Sequence, residues 1–244
     1  MTGLLMNRIL VIVPAYNEQS SIANIIKDIR ERTKESDILV VNDSSTDKTA
    51  ETLDALKVNH IDMAFNVGIG GAIQTGMRYA IKKGYDITVR VDGDGQHDPG
   101  DINKLVNHLL HGEADLVVGS RFMEKGGFKS TFMRRIGIGF LNFLCSGIRG
   151  PRINDITSGF HGYNRKAMLA IQELYPHDFP EPEIIVIMKK LGLRIKEIPV
   201  KMNPRTKGVS SIRGFKALFY IIKVTLAIIV VYLRRYNEQS SSDI

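Results

Sequence analysis

Residues 91–99 read VDGDGQHDP. Two aspartates two positions apart, Asp92 and Asp94, are followed at once by Gln96, His97 and Asp98, directly behind an apolar run. So many oxygen ligands suit a hard divalent cation, Mg2+ or Mn2+, which keeps part of its water shell and bridges phosphates instead of filling an all-protein cage. Most D-x-D pairs are solvated turn residues. Here the pair follows a buried strand ending at Val91, and Gly93 and Gly95 allow close backbone approach, so metal and phosphate binding is the favoured reading. An EF-hand is excluded, because the sixth position is His97 and the twelfth is Asn103. Zinc is disfavoured, because His97 has no partner at ligand spacing.

Three further stretches carry polar chemistry. NDSSTD (42–47) reads as a turn with a helix cap or as a ligand contact, and its place at a strand end favours contact through Asp43. GIGGAIQTG (68–76) misses the G-x-G-x-x-G spacing and follows no clear strand, so it reads as a tight helix start near a phosphate-bearing ligand. FPEPE brings Glu181 and Glu183, either as bases or as the acidic residues that a helix N-terminus favours.

The elements that must position these loops alternate short apolar runs with helical patterns. Strands are expected at 8–14, 37–41, 86–91 and 114–119, and helices at 20–33, after a cap at Ser45 or Thr46, at 70–84 and at 99–110. Such a rhythm with all-apolar strands predicts an α/β fold, a mostly parallel sheet with helices on both faces. Ligands then bind beyond the carboxyl ends of the strands, where loops 14–18, 42–45 and 92–98 fall. After residue 120 come a basic loop with glycines, an apolar helix over 136–144 behind Arg134 and Arg135, and a return to the core at SGFHGYNR. A helix over 181–192, an alternating strand over 193–202, a basic loop and a C-terminal helix follow, dividing the chain into a folded domain, 1–212, and a helix with a polar tail, 213–244.

Of the 244 residues, 24% are charged and 43% hydrophobic, an ordinary globular balance. The single cysteine, Cys145, rules out a disulfide framework within the chain and suits a reducing compartment, and no signal peptide is expected. Net charge is +7, all of it from Arg194 onward, where ten Lys/Arg face three Asp/Glu. A basic tail can meet nucleic acid. This one contains FKALFYIIKVTLAIIVVYLRR, which points to a membrane surface and away from nucleic acid. As a helix, Phe215 to Leu233 would measure about 28 Å, nearly a bilayer span, but a central Lys223 costs about 2.5–3.5 kcal/mol to insert. Lys216, Tyr220 and Lys223 share one face, and Phe215, Leu218, Phe219 and Ile222 lie largely on the other. An in-plane amphipathic helix therefore fits the first half, with Ile228 to Leu233 dipping deeper or packing on a partner.

Taken in order, VIVPAYNEQSSI, VVNDSSTDKT, NVGIGGAIQTG, DGDGQHDP, DLVVGSRF, DITSGFHGYNR and RTKGVSS resemble the family 2 glycosyltransferases of the GT-A fold. The resemblance covers residues 7–212, and QHDP together with SGF narrows it to the polyprenyl-phosphate sugar transferases, the dolichol-phosphate mannose synthase-like branch. It implies a Rossmann-like GT-A catalytic domain and roles position by position. Pro14, Tyr16, Glu18 and Asp43 would line the base and ribose of the donor nucleotide. Asp92 and Asp94 would hold the sugar nucleotide, with Asp94, Asp92 and Gln96 around the metal, Mg2+ or Mn2+. Arg121, Arg134 and Arg135 would face the acceptor phosphate, and Asp155 would be an essential carboxylate, so that Asp94, Asp155 and Arg121 form the catalytic set. Arg205 and Ser210 would close over the donor diphosphate. Two positions depart from the pattern: Asn42 replaces a common aspartate, and Ile69 a common lysine between glycines.

The implied reaction is inverting transfer from a UDP- or GDP-sugar to a polyprenyl phosphate, undecaprenyl or dolichyl, at the cytoplasmic membrane face, for cell-surface glycan assembly. The enzyme would be peripheral or monotopic, with a small membrane protein or a second copy as further partners. A lipid phosphate is largely ionised near neutrality, its second pKa being about 6, so it needs docking charge more than a base. The rival acceptor is a saccharide hydroxyl, which requires a carboxylate base, with Asp155, Glu181 and Glu183 as the candidates.

Overall fold

The computed structural model describes residues 7–123, 150–178, 180–203 and 215–234, with side chains from Ile222 onward in the last segment. In chain order the elements are β1 (Ile9–Ala15), α1 (Ile22–Arg32), β2 (Ser36–Asn42), α2 (Thr49–Ala55), β3 (Asn59–Asp62), α3 (Gly68–Lys83) and β4 (Ile87–Arg90). A 3-10 turn, Pro99–Asp101, leads into α4 (Ile102–Leu110) and β5 (Leu116–Ser120). Then come β6 (His161–Asn164), α5 (Arg165–Ile171), α6 (Pro180–Lys190), β7 (Ile195–Pro199) and α7 (Phe215–Leu233).

The seven strands form one sheet in the order β3-β2-β1-β4-β6-β5-β7. Neighbours run parallel except at β6, which is antiparallel to both β4 and β5. The all-apolar strands follow from burial on both faces. All seven residues of β1 are buried, yet Leu10 and Ile12 join one core while Ile9, Val11 and Val13 join the other, the two-residue alternation of a pleated strand. The first core contains residues of α3, α5, α6 and α7, the second residues of α1, α2 and α4. α1 inserts Ile22, Ile25, Ile26 and Ile29, one helical stripe, and each fully buried isoleucine contributes about 1.5–3 kcal/mol by leaving water.

Several elements differ from expectation for identifiable reasons. β3 has the polar sequence NHID and lies at the sheet edge, half-exposed, so no apolar pattern marks it. It is held instead by Asn42, which donates to Asp62 at 2.6 Å. α2 starts at Thr49, and neither Ser45 nor Thr46 caps it; Asp47 accepts from the Thr49 amide and hydroxyl. α3 begins two residues earlier than its pattern suggested, at Gly68.

α7 joins the first core through Val224, Ile228 and Val231, packed beside α6. Lys190 at the end of α6 donates to the carbonyls of Val231, Tyr232 and Arg234, tying down the C-terminal turn. The opposite face of α7 is apolar and exposed: Ile222, Leu226, Ile229, Val230 and Leu233. Among the described residues no helix is long and apolar enough to cross a membrane.

Candidate active site

The loops after β1, β2 and β4 come together at the carboxyl ends of their strands. The Asn17 amide donates to Ser45 Oγ at 3.0 Å, the Thr46 amide to Asn17 Oδ1 at 2.8 Å and the Glu18 amide to Thr49 Oγ1 at 2.9 Å. Asn17 and Ser44 adopt left-handed backbone angles, φ 57° and 59°, conformations that concentrate at functional loops. Pro14 is buried beneath this junction, Glu18 is half-buried and Tyr16 stands 49% exposed. A Cβ on Gly93 would stand 3.0 Å from the Pro14 carbonyl oxygen, so the D-x-D loop lies directly against the first loop.

Asp43, expected at the base and ribose, has a structural task as well. It is 4% exposed and accepts the amides of Val67 and Gly68 at 2.7 and 2.9 Å, binding the positive end of α3. The glycines of GIGGAIQTG serve packing: a Cβ on Gly70 would fall on the backbone of Pro176 and His177, which lies across the helix start.

Asp92 is organised by residues that the motif alone does not identify. Arg90, 2% exposed at the end of β4, donates from Nε to Asp92 Oδ1 at 2.8 Å and forms an ion pair through Nη2 with Glu181 Oε1 at 2.8 Å. On the other side, His97 Nδ1 accepts the Asp92 amide at 3.1 Å, which assigns the ring proton to Nε2, 3.9 Å from Asp92 Oδ2. The His97 ring stacks on Phe160 at 4.8 Å. Burial raises the Asp92 carboxyl, but the charge and hydrogen bond of the Arg90 guanidinium outweigh it and hold it below the usual carboxylate range. Burial pushes the His97 imidazole down, in keeping with a neutral ring.

Arg121 and Asp155 form a second unit. Arg121 donates from Nε and Nη2 to the two Asp155 oxygens at 2.7 and 2.6 Å, its amide adds a third bond at 3.0 Å, and Nη2 also reaches Thr157 at 2.8 Å. Asp155 is fully buried, and Glu197 accepts its amide at 2.7 Å. Arg121, expected to face an acceptor phosphate, therefore has two of its side-chain nitrogens turned inward onto Asp155, because a guanidinium only 8% exposed needs a compensating charge.

Asp94 is half-exposed, and its Oδ1 accepts the Gln96 amide at 3.0 Å. Among the described residues no three His, Cys, Asp or Glu converge as a metal cage. The carboxylates of Asp94 and Asp92 do fit Mg2+ or Mn2+, hard cations held by one or two carboxylates plus phosphates and water. Because Arg90 takes one Asp92 oxygen, Asp94 is the first choice of ligand. Arg134, Arg135, Arg205 and Ser210 lie outside the described residues. Arg90, His97, Thr157, Gly159, Phe160 and Glu197 were missed as site residues; of these, only an arginine inside an apolar strand gave a signal.

Comparison with known proteins agrees with this architecture. The profile of the family described as Glycosyl transferase family 2 matches residues 10–171. The UDP-N-acetylglucosamine–dolichyl-phosphate N-acetylglucosaminyltransferase of Methanococcus voltae is 29% identical, over 89% of this chain and 96% of its own. The undecaprenyl-phosphate mannosyltransferase of Micrococcus luteus is 32% identical, over 85% of this chain and 88% of its own. Among solved structures, glucosyl-3-phosphoglycerate synthase from Mycobacterium tuberculosis, in complex with Mn2+, UDP and phosphoglyceric acid, superposes with a TM-score of 0.71. It covers 95% of this chain and 80% of that one at 19% identity, which establishes a shared GT-A-like fold. With its profile matched from β1 to the end of α5, the chain belongs to glycosyl transferase family 2.

Proposed function

We propose that this glycosyltransferase moves a sugar from a nucleotide-sugar donor to a polyprenyl phosphate at the cytoplasmic face of the membrane, with inversion at the anomeric carbon. The observation that carries the acceptor assignment is the outward apolar face of α7, Ile222, Leu226, Ile229, Val230 and Leu233, on a helix docked to α6. α6 itself reaches the donor loop through Glu181 and Arg90. Relatives named as dolichyl- and undecaprenyl-phosphate transferases, similar over nearly their whole length, support the same acceptor class. The basic excess after Arg194 suits an anionic leaflet.

In this reading Asp94, with Asp92, would hold Mg2+ or Mn2+; the bound cation would neutralise charge on the departing diphosphate. Tyr16, Glu18 and the loop at Asp43 would form the wall for the nucleotide, and Arg205 and Ser210 would close over it. Asp155 orients Arg121 and abstracts no proton, since both of its oxygens accept from Arg121. A phosphate acceptor is already ionised and needs none removed. Arg134 and Arg135 are the proposed phosphate dock.

The test is transfer from radiolabelled UDP- and GDP-sugars to membranes containing polyprenyl phosphate, with and without EDTA. A chloroform-soluble, acid-labile product that disappears with EDTA is expected. Water-soluble product alone would favour the second reading, transfer to a saccharide hydroxyl. One observation favours that alternative: burial, then the charges of Asp178 and Glu181, push the Glu183 carboxyl up to about 7, where a general base works well. In that case Glu183→Gln abolishes transfer; under the lipid reading activity persists.

A further inference from the structure

We infer that Arg90 and Glu181 act as paired positioning residues for the donor loop: Glu181, in the first turn of α6, fixes the guanidinium that holds Asp92 in place. This rests on the reading that residues 92–98 receive the donor. Neither residue was expected in this role, and Glu181 entered as a candidate base.

Arg90 is a poor choice for packing. It is 2% exposed, in a strand at the centre of the sheet, and among the described residues its Nη1 meets no hydrogen-bond acceptor. An apolar side chain of similar volume in place of a buried ion pair is commonly neutral or stabilising. An arginine at this point does what an apolar residue or a lysine cannot. Its rigid fork contacts two carboxylates from distant segments at once, Asp92 through Nε and Glu181 through Nη2, each at 2.8 Å. A third segment is shaped around the pair: a Cβ on Gly159 would stand 2.8 Å from Arg90 Nη2 and 2.9 Å from Asp92 Oδ2. His97, stacked on Phe160, bounds Asp92 on its other side. Asp92 is thus gripped laterally, and its orientation depends on α6. Glu181 is 18% exposed with Oε1 committed to Arg90, an arrangement suited to an anchor.

The test separates an anchor from a base by measuring nucleotide binding with no acceptor present. The probes are UDP and GDP, each with Mn2+, titrated calorimetrically into the full chain, with thermal unfolding measured alongside. For whichever nucleotide binds the wild type, Glu181→Ala and Arg90→Lys are expected to weaken affinity by about 10–100-fold, the usual effect of losing an outer-shell partner. Glu181→Gln, which keeps an accepting oxygen, should recover part of that loss. The double variant Arg90→Lys/Glu181→Ala should bind no more weakly than the worse single one, because both act through one contact. If Arg90→Lys fails to fold, the Glu181 variants carry the test alone. Unchanged nucleotide affinity in Glu181→Ala, with only turnover reduced, would overturn the inference and restore the base. A wild type that binds neither nucleotide would overturn the donor-site reading, and this inference with it.

Discussion

At the scale of residues, the site separates groups that belong to the fold from groups that remain for chemistry. Arg121 and Asp155 are nearly or wholly buried and satisfy each other, so each is dangerous to remove alone. Asp155→Asn leaves the Arg121 charge without its counter-ion and should cost about 3–5 kcal/mol in denaturant unfolding, together with transfer activity. Asp94, half-exposed in its loop, predicts the opposite pattern. Asp94→Asn should leave stability within about 0.5 kcal/mol while abolishing metal-stimulated transfer, measured as product formed across an Mn2+ titration. A stability loss comparable to that of Asp155→Asn would give Asp94 a structural role. Asp92 and Asp94 were legible in the sequence because acidic residues behind an apolar strand are conspicuous, whereas Asp155 was marked only by the family resemblance. Glu197, which accepts the amides of both Asn154 and Asp155, was not, because it belongs to a different strand and only folding brings it there.

At the scale of elements, the loops at strand ends were legible because the strands themselves were: each is a short apolar run buried on two faces. β3 and the exact starts of α2 and α3 were not, since polar contacts such as Asn42 to Asp62 and Asp47 to Thr49 fix them without an apolar pattern. The junction of α6 with α7 makes a prediction of its own. His177, Asp178 and Glu183 face Lys223, Leu226, Ala227 and Arg234 across a groove of about 440 Å3. Burial, with Asp178 and Glu181, raises the Glu183 carboxyl from its ordinary value of 4.5 to about 7. Between those two values the folded chain holds a proton that the unfolded chain has released, so stability from this group falls as pH rises through that window. Glu183→Gln removes the dependence. The variant should match the wild type at pH ~4.5 and exceed it at pH ~8 by about 1 kcal/mol, a figure reduced for half-exposure. Chemical denaturation at the two pH values checks it; equal stability at both would mean that solvent hydrates Glu183 fully.

At the scale of the whole molecule, the mostly parallel sheet was predictable from the alternation of strands and helices, whereas the antiparallel β6 was not, since HGYN carries no mark of direction. The tail was legible as an apolar helix, but its division of labour was not, because sequence periodicity alone does not say which apolar face meets the protein. In the fold, Val224, Ile228 and Val231 face α6, while Ile222, Leu226, Ile229, Val230 and Leu233 are exposed. Removing the whole helix would strip α6 of an apolar neighbour and confuse loss of membrane contact with loss of fold. Single-face variants avoid that confusion. Ile228→Ala, 3% exposed, should cost about 2–5 kcal/mol in unfolding, because it opens a cavity in the core shared with α6. Ile222→Ser, Ile229→Ser and Leu233→Ser combined touch only exposed positions outside the groove between α6 and α7, so unfolding should change little and Mn2+-nucleotide binding should persist. Under the proposed lipid-acceptor reading, the same triple variant should lose most sedimentation with vesicles of phosphatidylglycerol and phosphatidylethanolamine, and with it transfer to polyprenyl phosphate in those vesicles, because the apolar area proposed to drive interfacial binding is gone. Retained vesicle binding would leave the basic residues as the membrane contact, and retained lipid transfer without binding would detach the exposed face of α7 from acceptor delivery.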